Sequence, residues 1–187
     1  MSNRETYAPG AASGARVEKD GEQWTLVLTR DLRHPPANVW EALTDPAQLR
    51  EWAPFDADRN LSAPGSAQLT TVGTPTPQVS ECVVKRAVPA TLLEYTWGES
   101  TLRWGLQPLG AGTRLTLWHN IERKFISMGA AGWHICFDVM ERFLADEPIG
   151  RIVAGDAMKF DWQRLNAEYA AQFGVKAQNR APPRDAS

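Results

Sequence analysis

Residues 127–144, SMGAAGWHICFDVMERFL, restrict the possible folds more than any other stretch. On a wheel of 3.6 residues per turn, Met128, Gly132, Ile135, Val139 and Phe143 fall on one side. Trp133, Phe137, Met140 and Leu144 form a second stripe beside it. His134, Asp138, Glu141 and Arg142 are left for water, with His134 and Asp138 four apart as a surface pair. The apolar arc is roughly 200°, about twice that of an ordinary surface helix. Such a helix needs cover on two sides, and the chain offers strands before it and a second amphipathic helix after it. The expected arrangement puts Ile135 and Val139 on the sheet and Trp133 and Phe137 under the last helix.

The strands are legible by alternation. In residues 24–33, Trp24, Leu26, Leu28 and Leu32 share one face, interrupted by Arg30, which is expected to reach solvent or a carboxylate. Further strands are predicted at 66–72, 78–88, 91–97, 101–107 and 114–121, separated by turns rich in Gly and Pro. Their inner faces group Leu93, Tyr95 and Trp97, then Leu102, Trp104 and Leu106, then Leu115, Leu117 and His119. Between the first strand and the meander, Pro36 and the pair Asp45-Pro46 open two short helices at 37–44 and 46–52. Residues 157–173 form the last helix, with Met158, Trp162, Leu165 and Tyr169 as its stripe and Gly174 as its C-cap. This helix covers the long one, or packs on a second copy in a homodimer.

The stretch LTRDLRHPPANVWEALTDPAQLREWAP resembles the opening signature of the SRPBCC superfamily, the START-like helix-grip proteins. More narrowly it is similar to the branch named for the activator of heat-shock-protein-90 ATPase. The matching residues are Arg30, Pro36, Val39-Trp40, Thr44-Asp45-Pro46, Trp52 and Pro54, with Gly132-Trp133 in the long helix. The resemblance spans about residues 24–173 and implies an α+β helix-grip fold, a curved antiparallel sheet around a long C-terminal helix. It also implies a cavity between sheet and helix for an apolar or aromatic small molecule. Some relatives are aromatase/cyclases acting on polyketides. A co-chaperone role follows from the branch name alone, and in the proteins that carry that role a separate domain precedes this one.

The chain of 187 residues fits one domain at 21–174, with unstructured tails at 1–20 and 175–187 that are poor in residues to bury. A net charge of −2 with 43% hydrophobic residues argues against nucleic-acid binding, and no run is apolar enough for a membrane span. Cys82 and Cys136 read as two buried reduced thiols, which points to the cytoplasm.

No phosphate loop, nucleophile elbow or zinc-binding helix is present, and His34, His119 and His134 lack metal-ligand spacing. No cofactor is called for. Trp97, Trp104 and Trp133 face one curved space, which is either a filled interior or a mostly apolar pocket. The pocket would be completed by Tyr95, Leu102 and Leu117, with His119 as its polar group. The alternative for His119 is a strand-end histidine bonded to backbone or water. Glu81 and Glu94 belong to the outer face, and Trp52 and Trp118 are expected nearer the surface. A binding module is favoured over an enzyme.

Overall fold

The computed structural model describes residues 2–178. In chain order the strands are β1 Ala15–Asp20, β2 Gln23–Leu32, β3 Phe55–Ala57, β4 Gly65–Thr71, β5 Gln78–Val88, β6 Leu92–Trp97, β7 Ser100–Leu109 and β8 Gly112–Asn120. They form one antiparallel sheet in the order β1-β2-β8-β7-β6-β5-β4-β3. The sheet curls, and a bulge in β5 between Val84 and Arg86 adds to its bend.

Register converts the alternation into a core. One row across the sheet runs Leu26, His119, Leu102, Tyr95, and the next runs Leu28, Leu117, Trp104, Leu93. Every residue of these two rows is at most 5% exposed. The connection from β2 to β3 carries α1 (Pro36–Thr44) and α2 (Pro46–Trp52). Asp45 caps α2 by accepting from the Ala47 N–H at 2.9 Å, and Pro46 fills its first position. A single 3-10 turn, Arg123–Phe125, leads from β8 into α3 (Ile126–Leu144), which lies on the concave face of the sheet. A 3-10 segment Ala154–Lys159 then precedes α4 (Trp162–Phe173), which ends at Gly174 in a left-handed conformation. The fold is α+β of the helix-grip kind.

Several expectations are corrected. Trp133 and Phe137 face the sheet: both rings meet Trp104 of β7, at 5.6 and 6.0 Å between centroids. The side of α3 expected to meet water is covered instead. His134 is buried against Tyr169 of α4, and Asp138 is clamped by Tyr7 and Arg30. The cover comes partly from residues expected to form an unstructured tail at 1–20. Tyr7 and Ala12 are buried, and β1 pairs with β2 along six residues. That segment has few apolar side chains, but it satisfies its backbone on the sheet edge and on α4, so composition alone misjudges it.

At the other end Val175 packs on the core and the Gln178 carbonyl accepts from Asn166, so the tail expected at 175–187 begins in contact with the body; residues 179–187 lie outside the described part. Trp52, expected nearer the surface, is fully buried because its indole N–H reaches the Ala42 carbonyl and its ring packs edge-on against Trp104. Met158 is exposed, because the chain there forms the 3-10 segment and not the first turn of the last helix.

Candidate functional site

The centre of the space between sheet and α3 is filled. Trp104 is fully buried, donates to the Tyr95 hydroxyl at 3.2 Å, and is ringed by Trp52, Trp133 and Phe137. Leu102 and Leu117 are also fully buried. These four sequence candidates, Tyr95, Leu102, Trp104 and Leu117, form a solid aromatic and aliphatic core behind the site.

The open space is displaced toward the start of α3. There a cleft of about 980 Å³ is bounded by Trp97 at the end of β6, His119 near the end of β8, and Gly129, Gly132, Trp133 and Cys136 on α3. Its opposite wall is the connector, including Ile152, Val153 and Met158, together with Trp162 at the start of α4. The loop Gly73–Pro75 and Pro54 complete the rim. Of the sequence candidates, Trp97, His119 and Trp133 are thus brought together here.

Two glycines shape this space in opposite ways. A Cβ at Gly132 would meet no atom within 4 Å, so helix backbone is itself part of the cleft surface. A Cβ at Gly73 would lie 2.9 Å from Val153 Cγ2, and its φ is +81°, so the rim loop closes on the connector only with glycine there. The connector is in turn held from two sides. Arg4 donates to the carbonyls of Ile149, Gly150 and Arg151, while Arg151 donates to the Arg50 carbonyl and the Asp56 carboxylate.

The lining is apolar, and among the described residues no Asp, Glu, Lys or Arg belongs to it. His119 Nδ1 accepts the indole N–H of Trp133 at 3.0 Å. Burial pushes the His119 imidazole down from 6.5 to about 4, so it is neutral at physiological pH. Burial likewise pushes the Cys136 thiol up to about 12, which removes it as a nucleophile. Cys82 and Cys136 are both free and buried.

A second polar group lies on the far side of α3. Arg30 reaches inward from β2 and donates to Asp138 at 2.7 Å and Glu141 at 2.9 Å, and the Tyr7 hydroxyl donates to Asp138 at 2.6 Å. The ion pairs hold the guanidinium charged against its own burial. Burial and the Asp138 charge push the Tyr7 phenol well above its ordinary range. Every functional group there is spent on another, so this cluster fastens the N-terminal segment to α3. Among the described residues no group of three or more potential ligands is placed to hold a metal.

Sequence reasoning missed the connector, the rim loop and Trp162 as a wall. Nothing in the chain marks loops as neighbours when 80 residues of sequence separate them. Trp162 could be assigned only to a helix stripe. Gly132 offered a signal, since an interior glycine costs a helix about 1 kcal/mol relative to alanine and here no close packing requires it.

The family described as Activator of Hsp90 ATPase homolog 1-like protein matches residues 33–145. No curated protein matches the chain. Solved structures share the fold at low identity. The conserved protein of unknown function EF2215 from Enterococcus faecalis superposes with a TM-score of 0.65 at 14% identity, covering 84% of this chain and 89% of that one. CalU16 from Micromonospora echinospora gives 0.60 at 21% identity, over 88% and 98% of the two chains. Protein MLL2253 from Mesorhizobium loti gives 0.56 at 27% identity, over 65% and 96%.

Proposed function

Starting from the premise that the chain belongs to the Activator of Hsp90 ATPase homolog 1-like protein family, we propose that it binds an apolar small molecule in the cleft between sheet and α3. The observation that carries this is the cleft itself. At about 980 Å³ it has the size of a drug-like ligand site, with aromatic walls and His119 as a polar side chain among them. The wall residues come from five separate segments, so the space is a product of the whole fold and not of one loose loop.

Binding is favoured over catalysis by the state of the polar groups. General acid–base chemistry needs a group that exchanges protons near neutral pH and a partner within reach of the ligand. His119 is a weak base there, and Cys136, also on the cleft wall, is held as a thiol. The two buried free cysteines support placement in the reducing cytoplasm. No helix among the described residues is long and apolar enough to cross a membrane.

The test uses the neutral probe N-phenyl-1-naphthylamine, whose emission rises in apolar surroundings. The expected result is saturable binding to the protein, lost in Gly132→Leu, whose side chain starts from a Cβ with no atom within 4 Å and projects into the cleft. Equal probe binding by Gly132→Leu would place the probe elsewhere and remove the support for the cleft. Retention of a heat-shock-protein-90 chaperone in a pull-down, with no probe binding, would favour the co-chaperone activity instead.

A further inference from the structure

On the reading that the cleft holds a small molecule, we infer that His119 presents a fixed N–H at Nε2 to the occupant. The cleft is thereby selective for a flat, uncharged aromatic molecule with a hydrogen-bond acceptor on its rim.

The tautomer follows from the bond to Trp133. An indole nitrogen can only donate, so His119 Nδ1 must carry a lone pair, and the single proton of a neutral imidazole sits on Nε2. Among the described residues Nε2 has no partner in the protein. Arg103 Nε is the only sealed side-chain polar atom without a partner among those residues, so Nε2 is reachable, and the space His119 borders is the cleft. In an apolar-walled space a donor fixed in place rewards an acceptor set against it on the ligand.

The charge of the occupant follows from the lining. The neighbours of His119 are Leu26 and Leu102 along its row, and Trp97 and Trp133 across from it. None of these titrates, and among the described residues the only other titratable group on the cleft is the neutral Cys136 thiol. A carboxylate or an amine entering would lose its hydration with no counter-charge to meet. Flatness is favoured by the bare helix backbone at Gly132, where the cleft wall carries no side chain. A planar ring can lie against that backbone more closely than against any side chain.

Three probes of one shape test this: 9-fluorenone, fluorene and 9-fluorenone-2-carboxylate, titrated by tryptophan quenching at pH 5.5 and pH 8. The protein should bind fluorenone about fivefold more tightly than fluorene, the gain from one hydrogen bond. The carboxylate should bind at least about tenfold more weakly than fluorenone. Both preferences should be the same at the two pH values. His119→Leu should lower fluorenone to the level of fluorene, and His119→Gln, which can accept from Trp133 and still donate, should restore the difference. Equal affinities for fluorenone and fluorene, both abolished by Gly132→Leu, would overturn the role of His119 and leave the cleft as a binding site. Absence of binding, or binding indifferent to Gly132→Leu, would overturn both. Should His119→Leu fail to fold, the histidine nitrogen shifts of the unaltered protein decide: a proton on Nδ1, or an imidazolium at pH 5.5, would overturn the inference.

Discussion

Asp138 accepts from the Tyr7 hydroxyl and from the Arg30 guanidinium at the same time. Its side chain is only 17% exposed, so water does little to replace it if it is removed. Asp138→Ala would leave a phenol without its acceptor and an arginine holding only Glu141. The expected cost is about 2–4 kcal/mol, as for breaking a largely buried ion pair. Glu141 is more exposed at 38%, and Glu141→Ala should cost about 1 kcal/mol or less. Urea denaturation of the two variants gives the ranking; a larger loss for Glu141→Ala would contradict the clamp. The helical wheel assigned Asp138 and His134 to water because it sees only the helix. Arg30, by contrast, finds a carboxylate as the sequence led one to expect, but it does so by reaching inward to α3.

At the scale of elements, α3 is enclosed by the sheet, by α4, by α1 and α2, and by the N-terminal segment. The segment contributes Tyr7, packed beside Phe160 and under Arg142, and backbone groups of Ala12 and Ser13 that bond to Glu168 and Tyr169. Removing residues 2–13 should therefore destabilise the protein by about 3 kcal/mol, the burial of one aromatic side chain plus its hydrogen bonds. Because Arg4 also grips the connector, the truncated protein should bind N-phenyl-1-naphthylamine more weakly. Thermal melts and probe titration check both parts, and a truncation with unchanged melting temperature and affinity would mean that the segment is only draped over the surface. The strands and α1, α2 and α3 were legible because each declares itself by period or cap. β1 and β3 were not, since both sit at sheet edges and need little side-chain burial to pair.

For the molecule as a whole, two histidines are buried in neutral form. Burial lowers His119 to about 4 and lowers His134 as well, against a partly opposing attraction from Asp138. The folded pKa lies below the unfolded one, so the unfolded chain takes up protons that the folded chain refuses. Stability is then fully present above about pH 6.5 and falls as pH drops toward 4. His119 alone accounts for about 2 kcal/mol of loss by pH 5, and His134 adds in the same direction. Urea midpoints between pH 7.5 and 5 should show this slope, and His119→Gln should flatten most of it. A flat profile in the unaltered protein would show that the apolar surroundings of His119 do not hold its imidazole neutral.

The sequence alone determined the α+β class, the order of the main strands and helices, and the inner-face rows of the sheet. These follow from periodicity and local caps, which act over a few residues and are written in the chain directly. It also named three residues that meet at the cleft: Trp97, His119 and Trp133. Tertiary structure decided which stripe of α3 faces the sheet, because the two stripes are equally apolar and only the bulk of Trp104, Trp133 and Phe137 packed together selects one. It decided that Trp104 fills the interior while the open space lies nearer the start of α3. It also fixed the proton on His119, since that depends on an indole nitrogen 14 residues away in sequence and 3.0 Å away in space.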